Sequence, residues 1–220
     1  MKGWNLRSKR VFCAALFSLF AVLCLLLHRP ILKEAGRFLA PASEDKAEVL
    51  ILEGGNVVKN GALNVGMGLL SLGRANRLVV VLHQPSKSGQ VFALQGKYAQ
   101  LVIDELEHLG LKKDKVQVIS APIDGHPITL TEARFVVAKL SENKVRSAIL
   151  LSEGFHSRRS YGVYRQEGAR VGIRINPHPY FIGYGVDEWW KQTDGIHDFF
   201  NESLKLVYYI FCGHLSLKYL

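Results

Sequence analysis

Residues 47–55 read "AEVLILEGG". Val49, Leu50, Ile51 and Leu52 are apolar without alternation, and the run stops at a Gly pair, as a strand buried on both faces of a parallel sheet does. The pattern returns in "RLVVVLH" (77–83), "KVQVIS" (115–120), "RSAILLS" (146–152) and "ARVGIRI" (169–175). Helical stretches fall between these runs, over about 59–72, 92–110, 129–143 and 157–168, and a last helix is expected over roughly 195–211. Doubly apolar strands alternating with helices predict an α/β fold: a three-layer, Rossmann-like, doubly wound and mostly parallel sheet of about five strands. Ligands of such sheets bind outside the carboxyl ends of the strands, so the chemistry is to be sought in the loops that follow them.

Toward the N-terminus, residues 33–46 mix charge, Gly, Pro and Ser and read as a linker between an anchor and a domain over 47–220. Residues 11–27, "VFCAALFSLFAVLCLLL", hold no charge, and the tail 1–10 before them is basic. About 17 helical residues rise roughly 26 Å, near the minimum for the hydrocarbon layer, which predicts a transmembrane anchor over 11–32. A cleaved signal peptide shares the basic flank and apolar core, but "LLLHRP" offers no small-x-small exit. A short basic tail that stays in the cytoplasm, before a long following domain, predicts a single-pass protein of the cytoplasmic membrane with its domain on the extracytoplasmic side.

The 220 residues carry a net charge of +9 and are 48% hydrophobic, enough for one sizeable core. More than half of the charge surplus falls in the first 47 residues, and no basic run is interleaved with aromatics, which argues against nucleic acid as a partner. Of the three cysteines, Cys13 and Cys24 sit in the apolar run and Cys212 stands alone, so neither a disulfide framework nor a metal cluster is expected.

Four loops can carry chemistry. In "LEGGN", Glu53 ends the first strand, and Gly54 and Gly55 either let a ligand approach the backbone or simply make a tight turn; no GxGxxG is present. The second is "HQPSKSG", with His83, Ser86 and Lys87. In "DGHPITLTEA", Thr129 and Glu132 have the spacing of a capping box, a structural role that leaves room for a second one at the ligand edge. The fourth, "LLSEGFHSRRSYGVY", leads from Ser152 and Glu153 through His156, Arg158 and Arg159 into a helix whose N-terminus favours an anion. The competing reading is that both arginines coat a solvated face and His156 fills a corner.

This fourth loop resembles the SanA/YdcF-type family of bacterial envelope domains. That family's pattern is a strand, a Thr-Ser pair, an aromatic and His-x-x-Arg; here Ser152-Glu153 stands for the pair, with His156 and Arg159 at the His and Arg positions. Thr129, Glu132 and Ala133 match its second pattern, and the Gly pair at 54–55 and the ending "ESLKLVYYIFCG" agree as well. His83-Gln84 departs from the Ser-Gly often found after the second strand. The resemblance implies an anchored envelope protein, with some relatives linked to cell-wall or lipid-carrier metabolism and barrier function, and brings no agreed reaction.

Together these readings expect an anionic, phosphorylated or lipid-linked ligand. His156, Glu53 and Glu132 are the catalytic candidates, and Gly54, Gly55, Thr129, Ser152, Arg158 and Arg159 the ligand-binding ones. The cofactor is left unassigned. A hydrolase or transferase is one reading and a non-catalytic ligand-sensing or partner-binding module the other, since no GxSxG, Walker loop or HExxH is present.

Overall fold

The computed structural model describes the backbone of residues 6–55, 58–84, 92–123 and 125–220, with side chains throughout except at 6–11, 14, 19–26 and 92–96. Ser86 and Lys87 of the second loop lie outside the described residues. In chain order the elements are α1 (Leu6–Leu39), β1 (Val49–Gly55), α2 (Asn60–Ser71), β2 (Arg77–Gln84), α3 (Phe92–His108) and β3 (Val116–Pro122). They continue as α4 (Ile128–Glu142), β4 (Ser147–Glu153), α5 (His156–Val171), β5 (Arg174–Tyr180) and α6 (Thr193–Phe211). The strands form one five-stranded sheet in the order β3-β2-β1-β4-β5, with every pair parallel. This is a Rossmann-like α/β fold, with the order reversing between β1 and β4.

The two-residue period of the strands divides the core. Val49 and Ile51 of β1, Val79 and Val81 of β2, and Ala148 and Leu150 of β4 pack toward α4, α5 and α6. Their neighbours Leu50, Leu52, Leu78, Val80, Ile149 and Leu151 pack toward α2 and α3. Continuing the first set by one step puts Glu53, His83 and Ser152 at the carboxyl edge of three adjacent strands, on the α4–α6 side.

Two expectations from the sequence are corrected. The fifth strand is not 169–175: α5 runs on to Val171 and ends at Gly172, whose φ of +75° is the left-handed conformation glycine adopts at little cost. The strand that follows, "RINPHPY", carries Pro177 and Pro179 and escapes a search for apolar runs. Its place at the edge of the sheet makes those prolines tolerable, because one side of the strand has no ladder to donate to.

Residues 33–46 are not a free linker either. α1 continues to Leu39, with Leu39 and Ala40 buried, and Trp189 Nε1 donates to the Leu32 carbonyl at 2.9 Å. Arg37 pairs with Asp187 at 3.1 Å. Among the described residues no helix is long and apolar enough to cross a membrane. The uncharged run expected to do so falls largely on residues whose side chains are not described.

Candidate functional site

The carboxyl ends of β1, β2 and β4 and the first turns of α4 and α5 meet at the strand-order reversal, where this class of sheet opens a crevice. At the end of β1 the pairing with β2 shifts register between Glu53 and Gly55. A Cβ on Gly54 would lie 2.9 Å from the Val81 carbonyl oxygen, so the close strand approach requires glycine there.

The Glu53 side chain is 8% exposed, and its carboxylate accepts hydrogen bonds from Ser152 Oγ of β4 and Ser160 Oγ of α5. Burial pushes its pKa upward; His156 pulls it down, Glu132 pushes it up, and the two hydroxyls pull it down again. The net shift is upward.

Glu132, 3% exposed, is held from two sides. Its Oε2 lies 2.5 Å from His83 Nε2, and its Oε1 accepts from the Tyr164 hydroxyl at 2.8 Å. The bond to Glu132 raises the pKa of His83 against the opposing effect of burial, with the charges of Glu132 and Glu53 adding to the rise. Tyr164 is held protonated by its burial and by the same carboxylates.

The capping box is thus not formed. α4 begins at Ile128 with Pro127 before it and no side-chain cap, so Thr129 sits within the first turn and Glu132 turns inward to His83 and Tyr164. Thr129 Oγ1 instead accepts from Arg159 Nη1 at 2.8 Å.

His156 opens α5. Arg159 Nη2 lies 2.9 Å from its Nδ1. A guanidinium can only donate, so in the neutral ring Nδ1 is the acceptor and the proton is on Nε2, whereas in the charged ring Nδ1–H faces Glu202 Oε2, 3.5 Å away. That atom faces Glu53 Oε1 at 3.8 Å, too far for a direct hydrogen bond.

Arg159 is 6% exposed: Nε and Nη2 reach Glu202 Oε2 of α6 at 2.9 and 2.8 Å, and its guanidinium lies 4.8 Å from the Tyr209 ring centre. It positions its neighbours and forms part of the wall of the larger cavity described below. Burial acts to raise the pKa of Glu202, but its interactions with His156, Arg159 and Lys205 outweigh this and hold it well below the usual carboxylate range. Arg158 is the sequence candidate that the fold removes from the site. Its Nε donates to the Phe38 carbonyl and its guanidinium stacks 4.6 Å from the Phe38 ring centre, tying α5 to the end of α1.

Two adjoining cavities share Ile128, Thr129 and His156. The inner, of about 190 Å³, is lined also by Glu53, Gly54, Gly55, His83 and Glu132, with Lys59 and Glu153 paired at 2.5 Å. The outer, of about 570 Å³, adds Pro127, Arg159, Glu202, Lys205, Tyr208 and Tyr209. In the inner cavity Glu132 is matched by His83 and Glu153 by Lys59, and Glu53 is biased toward its neutral form. The N-terminus of α5 and His156 are left to face a guest. Among the described residues no group of three or more His, Cys, Asp or Glu side chains is arranged to hold a metal ion.

The fold therefore brings together Glu53, Gly54, Gly55, Thr129, Glu132, Ser152, His156 and Arg159. It adds His83 as a site residue, with Ser160, Tyr164, Glu202 and Lys205. His156, Ser160 and Tyr164 recur every four residues on one helix face, and His83 continues the alternation of Val79 and Val81; both signals are present in the sequence. Glu202 opens the "ESLK" of the closing helix and pairs locally with Lys205, but its contact with Arg159 spans 43 residues and no local pattern announces it.

No family model matches the chain, and no curated protein sequence matches it. Among solved structures, the chain is similar to a protein of the universal stress protein family from Burkholderia pseudomallei, at 14% identity and a TM-score of 0.35, over 59% of this chain and 96% of that one.

Proposed function

We propose that this chain is a membrane-anchored protein of the bacterial cell envelope. In this reading it binds an anionic, phosphorylated or lipid-linked ligand at the carboxyl edge of its sheet, and Glu53 and His156 move a proton in a hydrolysis or transfer at that ligand. The observation that carries the reading is the pair itself: a buried carboxyl with a raised pKa, 3.8 Å from a ring N–H, in a cavity at the strand-order reversal. The gap is too long for the two groups to satisfy each other, so both can donate to one ligand oxygen between them. Giving its proton to a leaving oxygen turns Glu53 into a carboxylate, and attacking water returns a proton to it.

The envelope setting is supported by the uncharged run at 11–27 behind a basic tail and by the likeness to the SanA/YdcF-type pattern. Thr129, His156 and Arg159, which carry that likeness from two separate stretches, are joined here by direct hydrogen bonds.

The test uses the full chain in mild detergent with phosphate monoesters, nucleotide sugars and a short polyprenyl phosphate, reading binding by thermal shift and turnover by product release. The expected result is turnover that His156→Ala and Glu53→Gln abolish while binding survives. Binding without turnover of any compound would contradict the proton-transfer role and leave a ligand-sensing module. Neither binding nor turnover would contradict the ligand site as well.

A further inference from the structure

α6 presents two apolar faces where a surface helix needs one. Its inner face packs Phe199, Leu206, Tyr209 and Ile210 on the domain. On its other side Ile196, Phe200, Leu204, Val207, Tyr208 and Phe211 are exposed, from 37% at Ile196 to 87% at Phe211. At 3.6 residues per turn these six fall in a single arc about 120° wide along the whole helix. The acidic residues and the lysine of the helix, Asp194, Asp198, Glu202 and Lys205, all lie outside that arc; its polar members are Thr193 and His197, near the start of the helix.

We infer that this face of α6 rests in the interfacial layer of a lipid bilayer, giving the domain a second membrane contact beside its N-terminal helix. The inference rests on the anchored reading proposed above. α1 runs as one helix from the uncharged stretch into the part that packs against α5 and α6. Leu27, the last residue of that stretch, is therefore only roughly 18 Å of helix from Leu39, and the domain is held close to the membrane surface.

The shape of the stripe favours a plane over a second copy. Six side chains exposed to this degree offer on the order of 700 Å², and a symmetry-related α6 crossing at a usual packing angle would cover only part of that length. A stable interface buries about 800 Å² per partner. A bilayer takes up the entire stripe, as an arc free of Asp, Glu, Lys and Arg on an interfacial helix requires. Tyr208 belongs both to the stripe and to the wall of the outer cavity, so the cavity would open beside the lipid surface.

The experiment uses the full chain with its three cysteines replaced by serine. One new cysteine is placed at Phe200→Cys, Leu204→Cys or, as the control beyond the arc, Lys205→Cys, and is labelled with a polarity-sensitive fluorophore. Each protein is reconstituted in phosphatidylcholine–phosphatidylglycerol vesicles and floated. The expected result is blue-shifted emission, quenched by nitroxide lipid, at 200 and 204 and water-like emission at 205. Protein that floats with the vesicles but emits as if in water at 200 and 204 overturns the inference and leaves the anchor intact. Protein that does not float overturns the anchored reading and the inference with it. Efficient bismaleimide cross-linking between copies at 204 gives the face to a second copy and overturns the inference too.

Discussion

Arg159→Ala removes the center of the polar network behind the cavity, and the size of the loss follows from what remains. The guanidinium is 6% exposed and makes two contacts to Glu202 at 2.8–2.9 Å and one to Thr129 at 2.8 Å. Without it, Glu202 keeps His156 at 3.5 Å and Lys205 at 2.8 Å, the latter from a side chain 46% exposed. Breaking a buried ion pair costs about 3–5 kcal/mol, and the surviving lysine places this case at the lower end, about 3 kcal/mol. With a urea dependence of about 2 kcal/mol per molar, the midpoint falls by about 1.5 M. The assay is urea unfolding of the full chain in mild detergent, followed by far-ultraviolet circular dichroism. The double variant Arg159→Met/Glu202→Leu removes both charges of this pair, and it is expected to regain most of the loss, to within about 1 kcal/mol of the parent. A single variant that loses less than about 1 kcal/mol, or a double variant worse than the single, would refute the reasoning that this pair is buried and mutually dependent.

Further consequences concern pH and packing. Glu53 has a raised pKa in the folded chain, so the folded state binds its proton more tightly and stability falls as pH rises from the ordinary value of 4.5 through the raised one; Glu53→Gln removes this decline, and a parallel pH series of unfolding midpoints for both proteins checks it. His83 is also raised, which makes its contribution fully present below its ordinary 6.5 and lost as pH rises through the folded value; the midpoint difference between the parent and His83→Gln should shrink over that window. Gly54→Ala puts a Cβ 2.9 Å from the Val81 carbonyl oxygen, a backbone neighbour that cannot swing aside, and is expected to cost about 2 kcal/mol in the same unfolding assay.

Most of the fold was legible because the three central strands are apolar on both faces, as "LVVV" at 78–81 and "AILL" at 148–151 show, and β3 still carries Val116, Val118 and Ile119. β5 was not, since an edge strand keeps its place through one ladder and can be built from "NPHPY". The end of α1 is hidden for the opposite reason. Its charged residues look like a solvated connector, but Arg37 and Leu32 find partners around Asp187 and Trp189, more than 140 residues away in sequence.

In the candidate site, Glu53, Thr129, Glu132, Ser152 and His156 are legible as candidates because strand ends and helix starts mark the edge where such sheets bind ligands. Their roles changed on folding. Thr129 and Glu132 have cap spacing, yet each finds a tertiary partner in place of a free backbone N–H: Arg159 for Thr129, and His83 with Tyr164 for Glu132. Arg158 and Arg159 are adjacent in sequence and point to opposite destinations, as neighbours on a helix must.

The most direct test of the central claim is a histidine-selective NMR titration of the full chain with a phosphate monoester, following the ring resonances of His83 and His156 in the parent and in Glu53→Gln. The account predicts saturable shifts at His156 and smaller ones at His83 in the parent, with His156 Nε2 carrying the proton in its neutral form. It also predicts altered pH dependence of binding in Glu53→Gln. Ring resonances that stay fixed while the ester binds elsewhere, or a neutral His156 protonated on Nδ1, would contradict it.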